Sequence, residues 1–238
     1  MDQLAAHVAS LGDIVTVWAH PDDETYLAGG LMATARAIGA RVTCIVATDG
    51  DFSDSPTDRL RLGCLRRSEL CAALDALDVH DRHFLHLPDG GCSDLDEAEP
   101  VEAIGRILTS RSPATVVTFG PDGFTGHADH RAVSRWTTAA ARAAAPTSRI
   151  LHPTITPSRL AEDRDITDRH PIFDDGLPVA HDRDTLALEL ELRGHSLDTK
   201  LRALRGHDSQ TRGLITSMGL DRYRRWVSAE MFVDAVNG

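Results

Sequence analysis

The sequence lacks the features that would attach a protein to a membrane or to nucleic acid. No apolar run approaches the roughly 18 residues of a transmembrane helix, and residues 1–20 have neither the cationic start nor the small-residue cleavage site of a signal peptide. Lysine occurs once, at Lys200, and 25 basic residues face 36 acidic ones, for a net charge of −11. Nucleic-acid binding needs a clustered basic face. We therefore expect a cytoplasmic protein that binds neither nucleic acid nor membrane.

Several signatures of common enzyme classes and metal sites are also missing. The cysteines Cys44, Cys64, Cys71 and Cys92 form no C-x-x-C pair, so neither a zinc ribbon nor a thioredoxin-like site is indicated, and we expect reduced thiols. The chain has no G-x-S-x-G elbow, no G-x-G-x-x-G fingerprint and no Walker lysine motif. Serine hydrolase, dinucleotide-binding and P-loop functions thus lose their main support.

What is present is an alternation of buried strands and helices. A length of 238 residues with 42% hydrophobic residues predicts one domain over 1–238. Apolar β-branched runs predict buried strands, and helical spacing predicts helices between them. The predicted strands are Ile14–Ala19, Arg41–Thr48, His83–Leu87 and Ala114–Phe119, and the helices are Leu27–Ile38, Arg59–Leu77, Glu97–Thr109 and Ala128–Ala145. Four repeats of this alternation predict an α/β core over about 13–145, with a mostly parallel sheet and helices on both faces.

Residues 146–238 are predicted to form a smaller C-terminal β/α extension. Ser148–Pro178 shows no clear period, whereas Thr185–Leu192 alternates strictly and predicts a half-exposed strand at an edge or in a small β-addition. Leu197–Arg205 and Leu220–Phe232 have helical patterns. The alternating strand could pair between copies in a homo-oligomer, and a solvated edge explains it equally well.

Two loops are rich in side chains that can bind a metal ion. The segment His20–Glu24 (HPDDE) follows the first strand, and His127–His130 (HADH) follows the fourth. The carboxyl ends of parallel strands meet at one sheet edge, where ligands bind in α/β proteins. Histidine nitrogens and carboxylate oxygens suit zinc, and two histidines with one carboxylate form a known catalytic set. Each loop alone has a plainer explanation, a helix cap at Asp22 or Asp23 or a surface histidine pair, but their joint placement favours a metal site.

Two other segments have weaker functional support. Asp49–Asp54 superficially resembles a calcium loop but lacks its central glycine and distal glutamate, so a solvated acidic loop is favoured. The Gly29-Gly30 pair is expected to permit close packing of a helix rather than phosphate contact.

These residues carry a resemblance to a known family. Ala19–Glu24 together with His127-x-x-His130 resembles the PIG-L/LmbE-like family of zinc-dependent N-deacetylases. Supporting matches are Arg66-x-x-Glu69, Leu87-Pro88-Asp89-Gly90, Lys200-x-x-Ala203 and His207-x-Ser209-Gln210, so that the resemblance covers roughly residues 13 to 212.

The resemblance implies a Rossmann-like fold and a metal-dependent hydrolase that removes an N-acyl group, usually acetyl, from an amino-sugar conjugate or related small molecule. It implies one Zn²⁺ per chain, or another divalent ion such as Fe²⁺, held by His20, Asp23 and His130. Asp22 would be the general base, and His127 would stabilise the oxyanion and protonate the leaving amine.

Three further residues are less firmly assigned. Asp129 is expected to hold the tautomer of His127. Arg66 would contact substrate hydroxyls or form a salt bridge with Glu69. Some family members have a tyrosine where this chain has Thr125, so no tyrosine role is transferred.

Two other functions compete with the deacetylase prediction. A non-catalytic metal-binding or regulatory protein on the same scaffold would keep the ligands, but it would not need Asp22 and His127. A phosphate or ester hydrolase with two metals would require more carboxylate ligands than these loops supply.

Overall fold

The computed structural model describes residues 3–235, in which strands and helices alternate along most of the chain. The strands are β1 (Ile14–Trp18), β2 (Val42–Thr48), β3 (Asp81–Leu87), β4 (Thr115–Val117), β5 (Arg149–Thr154), β6 (Leu188–Glu191) and β7 (Ala229–Asp234). The helices are α1 (Gln3–Ala9), α2 (Asp23–Ala37), α3 (Pro56–Ala76), α4 (Ala98–Arg111), α5 (Ala128–Ala144), α6 (Pro157–Glu162), α7 (Arg164–Thr167), α8 (Gly194–Gly206), α9 (Asp208–Met218) and α10 (Leu220–Trp226). None of the helices within this range is long and apolar enough to cross a membrane.

All the strands named above belong to one mixed sheet of order β3-β2-β1-β4-β5-β7-β6. The first five strands of that order are parallel, while β7 runs antiparallel to both of its neighbours. The strand order reverses at β1, which is paired with β2 on one side and β4 on the other. The loops after β1 and β4 therefore flank the switch point where α/β proteins bind ligands.

Helices cover both faces of this sheet, as the alternating pattern predicts. With this strand order, the right-handedness of parallel crossovers assigns α2 and α3 to one face and α4 and α5 to the other, and α4 packs against α5. The C-terminal helix α8 packs against α2 and α3, so it completes the first of these layers. Strands β1 and β2 are fully buried between the layers, which explains their continuous apolar sequence.

The C-terminal region differs from the sequence prediction in two places. Ser148–Pro178, which has no clear period, contains β5 as well as α6 and α7. Leu220–Phe232, predicted as one helix, divides into α10 and β7, because Met231 and Phe232 are buried in the sheet between β5 and β6. The prediction of an edge strand within Thr185–Leu192 is confirmed, since β6 is the outermost strand of the sheet.

A buried ion pair attaches β7 to the helical layer. Lys200 of α8 donates hydrogen bonds to Glu230 Oε1 and to the Tyr26 carbonyl oxygen, both at 2.7 Å. Glu230 also accepts the backbone N–H groups of Gly30 (2.6 Å) and Leu31 (2.8 Å). A Cβ atom on Gly30 would lie 3.0 Å from Glu230 Oε1 and would collide with the Leu192 side chain. The close packing predicted for the glycine pair is thus confirmed at Gly30.

Candidate metal centre and catalytic site

The two loops identified from the sequence meet in the structure. The parallel pairing of β1 with β4 brings their carboxyl ends together, so His20 Nδ1 lies 3.1 Å from His130 Nε2 although the residues are 110 positions apart. Both side chains are almost completely buried. Their rings lie beneath the surface of the sheet edge rather than on an exposed helix face.

Asp23 completes a triangle of potential ligand atoms. Its Oδ2 atom lies 3.6 Å from His20 Nδ1 and 3.4 Å from His130 Nε2, and it also accepts the backbone N–H of His20 at 2.8 Å. A tetrahedral zinc ion with Zn–N and Zn–O bonds of about 2.0–2.1 Å separates its ligands by about 3.3 Å. The spacing of the three atoms fits a small divalent cation.

The hydrogen bonds of the two rings indicate that their lone pairs face each other. His20 Nε2 lies 3.1 Å from Asp89 Oδ1 and 3.3 Å from Asp129 Oδ2, and because carboxylates only accept, this nitrogen carries the proton. His130 Nδ1 donates to the Gly123 carbonyl oxygen at 2.9 Å. When both rings are neutral, as metal binding requires, the remaining nitrogens, His20 Nδ1 and His130 Nε2, direct lone pairs at one point beside a carboxylate oxygen. A cation there would relieve their mutual repulsion.

Burial and the surrounding charges shift the pKa values of these groups. For His130, burial dominates and lowers the pKa of the ring, which favours the neutral form that binds metals. Burial opposes protonation of His20, but the carboxylates of Asp129, Asp23 and Asp89 outweigh it and raise its pKa well above the usual range. Without a metal His20 therefore also holds a proton on Nδ1, which faces His130 Nε2, and a bound cation takes the place of that proton. Burial would raise the pKa of Asp23, yet His130 and His20 lower it below its ordinary value.

His127 lies beside the triangle with a different orientation. Its Nδ1 accepts the backbone N–H of Asp129 at 3.1 Å, so the neutral ring carries its proton on Nε2. Its ring centroid is 4.7 Å from that of His20, and a nitrogen of each of His20, His127 and His130 lies within 4.8 Å of the others. The tautomer makes His127 a hydrogen-bond donor rather than a lone-pair ligand.

Asp129 contacts groups other than the one expected from the sequence. Its backbone amide, rather than its carboxylate, holds the tautomer of His127. The carboxylate is fully buried, accepts the N–H groups of Gly90 (2.7 Å) and Cys92 (3.0 Å), and lies against His20. Asp129 therefore orients His20 and fixes the loop that follows β3.

Asp22 occupies a strained position between β1 and α2. Its φ of 116° is one that L residues rarely adopt, and its N–H donates to Glu24 Oε2 at 2.9 Å. Asp22 stands at the N-cap of α2, but its side chain makes no capping hydrogen bond, so capping does not account for it. Burial and the charge of Asp23 raise its pKa to about 7, against the opposing effect of Arg66 and His207.

Arg66 ties the two loops beside Asp22 together. Its guanidinium donates to the carbonyl oxygens of Pro21 (2.7 Å) and Gly50 (3.0 Å), and it lies 3.5 Å from the Asp22 carboxylate. Glu69, the alternative partner suggested by the sequence, instead accepts the N–H and O–H of Ser209 at 2.8 and 2.6 Å. Arg66 lines the cleft, so its side chain remains beside any molecule bound there.

Sequence reasoning did not assign roles to three residues that support the site. Asp89 reaches His20 from the end of β3, and its other oxygen accepts the Phe52 N–H at 2.8 Å. Glu24 and His207 form a fully buried pair at 2.8 Å, and Glu24 in turn holds the Asp22 backbone. The sequence could have indicated Asp89, because this residue directly follows a predicted strand. It could not have indicated the pairing of Glu24 with His207, because these residues are 183 positions apart.

An open cleft gives access to these groups. It has a volume of about 610 Å³ and is lined by His20, Asp22, His127, Arg66, Asp89 and Phe52. The polar side chains that could act on a substrate thus share one solvent-accessible space. Thr125, the residue at the position of the missing tyrosine, places its hydroxyl 3.0 Å from His130 Nδ1.

Comparison with known proteins gives consistent results. Residues 15–141 match the PIG-L family model, described as GlcNAc-PI de-N-acetylase. A 1D-myo-inositol 2-acetamido-2-deoxy-alpha-D-glucopyranoside deacetylase from Nocardia farcinica is 37% identical over 56% of this chain and 53% of its own length. The deacetylase of the same name from Corynebacterium glutamicum is 30% identical over 83% of this chain and 74% of its own. The chain thus spans about half the length of the Nocardia relative.

The fold is likewise found among solved structures. N,N'-diacetylchitobiose deacetylase from Pyrococcus horikoshii superposes with a TM-score of 0.68 at 19% identity, over 98% of this chain and 87% of that one. At this identity the similarity establishes the shared fold.

Proposed function

The chain belongs to the PIG-L family, and from this premise we propose that it is a Zn²⁺-dependent hydrolase that removes an N-acyl group from an amino-sugar conjugate or a related small molecule. The observation that carries the proposal is the convergence of His20 Nδ1, Asp23 Oδ2 and His130 Nε2 within 3.1–3.6 Å of one another, next to Asp22 and His127. The relatives named above, which deacetylate an acetamido sugar, support the choice of substrate class.

In this proposal the metal is held by His20, Asp23 and His130. A bound Zn²⁺ supplies Lewis acidity, which polarises the amide carbonyl and lowers the pKa of water. Zn²⁺ is favoured over harder ions because two of the three donors are imidazole nitrogens. Asp89 and Asp129 hold the His20 ring through Nε2, so the lone pair on Nδ1 keeps its direction.

Asp22 acts as the general base. Its carboxylate lines the cleft beside the ligand triangle, and the Glu24 hydrogen bond to its backbone fixes its position. It takes a proton from the attacking water as the new C–O bond forms at the amide carbon. Such proton transfer typically contributes about 10²–10⁴-fold in rate.

His127 acts as the general acid. With Nδ1 occupied by the Asp129 amide, its proton is on Nε2, which can hydrogen-bond to the developing oxyanion or to the leaving nitrogen. As the C–N bond breaks, His127 Nε2 passes its proton to the leaving nitrogen and receives in its place the proton that Asp22 took from water, so that a carboxylic acid and an amine are released and both residues return to their starting protonation states. Neither Asp22 nor His127 is needed for metal binding, so their presence favours an enzyme over a binding protein.

The first test combines metal analysis with turnover. We expect purified protein to hold about one zinc per chain, to lose it on His130→Ala, and to release acetate from an N-acetylated amino sugar. Asp22→Ala should keep the metal and lose about 10²–10⁴-fold in kcat/KM. Metal content is measured by mass spectrometry and acetate by a coupled assay, beside a phosphatase and esterase screen.

Two outcomes would contradict the proposal. Protein that takes up no divalent ion would show that the three atoms do not form a metal site. Full activity of Asp22→Ala would remove the assigned base. Asp184→Ala, an exposed aspartate outside the cleft, is the matched control and should change neither metal content nor rate.

A further inference from the structure

A second cavity adjoins the polar cleft at one of the catalytic residues. It has a volume of about 390 Å³, and Asp22 lines both spaces. Asp23 and Thr125 also line it. Beyond them its walls are mainly apolar and include Tyr26, Leu27, Ile155, Leu214, Trp226 and Met231. These side chains come from α2, α9, α10, β7 and the segment after β5, so the tertiary fold encloses the cavity.

The charged residues along this cavity already have partners. Arg159 donates to Asp163 at 2.7 Å and to the carbonyl oxygens of Arg225 and Trp226. Asp163 also accepts from Arg222 at 3.0 Å, and Glu230 is paired with Lys200. With these charges neutralised, the far part of the cavity favours an uncharged, apolar occupant.

The two spaces therefore differ in the chemistry they favour. The cleft offers Arg66, Asp89 and His127, groups that hydrogen-bond to a hydroxylated molecule. The cavity offers aromatic and aliphatic surface. Asp22, the proposed base, stands where the two meet, and the bond to be broken must lie within its reach.

We propose that this cavity binds the N-acyl chain of the substrate, and that the preferred chain is an unbranched acyl group several carbons longer than acetyl. The proposal rests on the proposed function, because it places the sugar in the cleft and the acyl group in the cavity on either side of the scissile amide. The reaction is amide hydrolysis: water adds to the acyl carbon, the C–N bond breaks, and a medium-chain carboxylic acid and the amine leave.

The size of the cavity supports a chain longer than acetyl. One water molecule accounts for about 30 Å³ of liquid, and a methyl group is of similar size, so an acetyl group leaves most of 390 Å³ unfilled. Each added methylene that leaves water for an apolar wall strengthens binding by up to about fourfold. An acyl chain long enough to reach Leu214 and Trp226 gains this increase in binding with each methylene.

The test is a chain-length series on one amino sugar. Zinc-loaded protein is assayed for amine release from N-acetyl-, N-butanoyl-, N-hexanoyl- and N-octanoylglucosamine. We expect kcat/KM to rise with chain length, by about tenfold or more between acetyl and hexanoyl. A kcat/KM that is highest for acetyl and falls with each methylene would overturn the proposal.

Variants of the cavity wall test the location. Leu214→Arg should lower the octanoyl-to-acetyl ratio of kcat/KM by about tenfold or more, and Leu214→Phe, a smaller change that keeps the site apolar, should lower it in the same direction. Leu220→Arg is the control, because Leu220 is 40% exposed on α10 and does not line the cavity. An unchanged ratio in both Leu214 variants would contradict the assignment.

A binding measurement separates this proposal from the proposed function. Trp226 lines the cavity, whereas Trp18 and Trp136 are fully buried in the core, so octanoate should change the tryptophan fluorescence of metal-free protein and acetate should not. The Trp226→Phe variant should lose the signal. Acetyl hydrolysis without an octanoate signal would overturn the acyl-chain proposal alone, whereas an octanoate signal without hydrolysis of any N-acyl sugar would overturn the proposed function.

Discussion

At the scale of single residues, the three histidines of the site differ in whether the group that holds the ring accepts or donates a hydrogen bond. His20 and His130 are held through the nitrogen that points away from the centre, by carboxylates and by a carbonyl oxygen. His127 is held through Nδ1 by a backbone amide, which can only donate. In their neutral forms, His20 and His130 therefore have a lone pair on the nitrogen that faces the centre of the site, whereas His127 has its proton on Nε2.

This difference predicts separate effects for His127 and the ligands. His127→Gln should retain about one zinc per chain while kcat falls by about 10²–10⁴-fold, since the variant lacks a group that can transfer a proton. His195→Gln, at an exposed position on α8, should leave both unchanged. Metal analysis and initial rates on the same preparations check this. Loss of zinc from His127→Gln would instead place His127 among the ligands.

The packing around Gly30 leaves no room for a side chain larger than hydrogen. Gly30→Ala should destabilise the protein by about 1–3 kcal/mol, because the new Cβ meets Leu192 and Glu230 in a filled core. Gly213→Ala on α9 has open space around the new methyl group and should stabilise by about 0.5–1 kcal/mol through helix propensity. Urea unfolding of both variants measures the free energies of unfolding. Equal changes in the two variants would mean that helix α2 can move to accept the methyl group.

At the scale of elements, the sequence predicted the parts of the fold whose signal is local. The apolar β-branched runs of β1 and β2 are buried on both faces, so their burial is visible in composition alone. The pairing of the HPDDE and HADH loops followed from topology, because both strands end at one sheet edge. The same argument applied to β3, which ends at that edge too, would have placed Asp89 at the site.

Elements defined by distant partners could not be predicted in this way. Strand β7 is short, and only Val227 and Ser228 separate it from α10, so its apolar residues fit a helical continuation equally well. Its pairing with β5 and β6, and the contact of Glu230 with Lys200 and α2, decide its structure. The sequence predicts that Arg66 contacts substrate hydroxyls or pairs with Glu69, and it gives no signal for the contacts of Arg66 with the carbonyl oxygens of Pro21 and Gly50.

The attachment of β7 to α2 and α8 predicts a large effect for Lys200. Lys200→Met should destabilise the protein by about 3–5 kcal/mol, because it leaves the Glu230 carboxylate buried without its charged partner. Arg205→Met, at an exposed position on the same helix, should change stability by no more than about 0.5 kcal/mol. Chemical unfolding measures both. A small effect in Lys200→Met would mean that the backbone N–H groups of Gly30 and Leu31, or water, are enough to hold the Glu230 carboxylate.

At the scale of the whole molecule, several of the acidic residues cluster at one place, the candidate site. The carboxylates of Asp22, Asp23, Asp89 and Asp129 converge on the carboxyl edge of the sheet. Such a cluster is stable when a cation or protonated histidines neutralise it. Acidification therefore affects the site both through its shifted pKa values and through proton competition with the metal, so that a pH effect on the fold alone is best measured at a group outside the site.

His152 on β5 is such a group. It is 8% exposed, its Nε2 has no hydrogen-bond partner among residues 3–235, and burial lowers its pKa to about 4, with Asp122 opposing and His181 reinforcing the shift. An unfolded histidine has a pKa of about 6.5. Between these values the unfolded chain binds a proton that the folded chain does not, so stability falls as the pH falls from about 6.5 toward 4.

His152→Gln should therefore reduce the acid sensitivity of folding. The free energy of unfolding of the wild type should decrease by about 2 kcal/mol more than that of the variant between pH 7 and pH 4.5, because the variant has no proton to bind at this position. His80→Gln, at an exposed position after α3, serves as the control and should follow the wild type. Urea unfolding at both pH values, with chelator present so that metal loss contributes equally, makes the comparison. Parallel pH dependence of His152→Gln and wild type would show that His152 titrates normally in the folded protein.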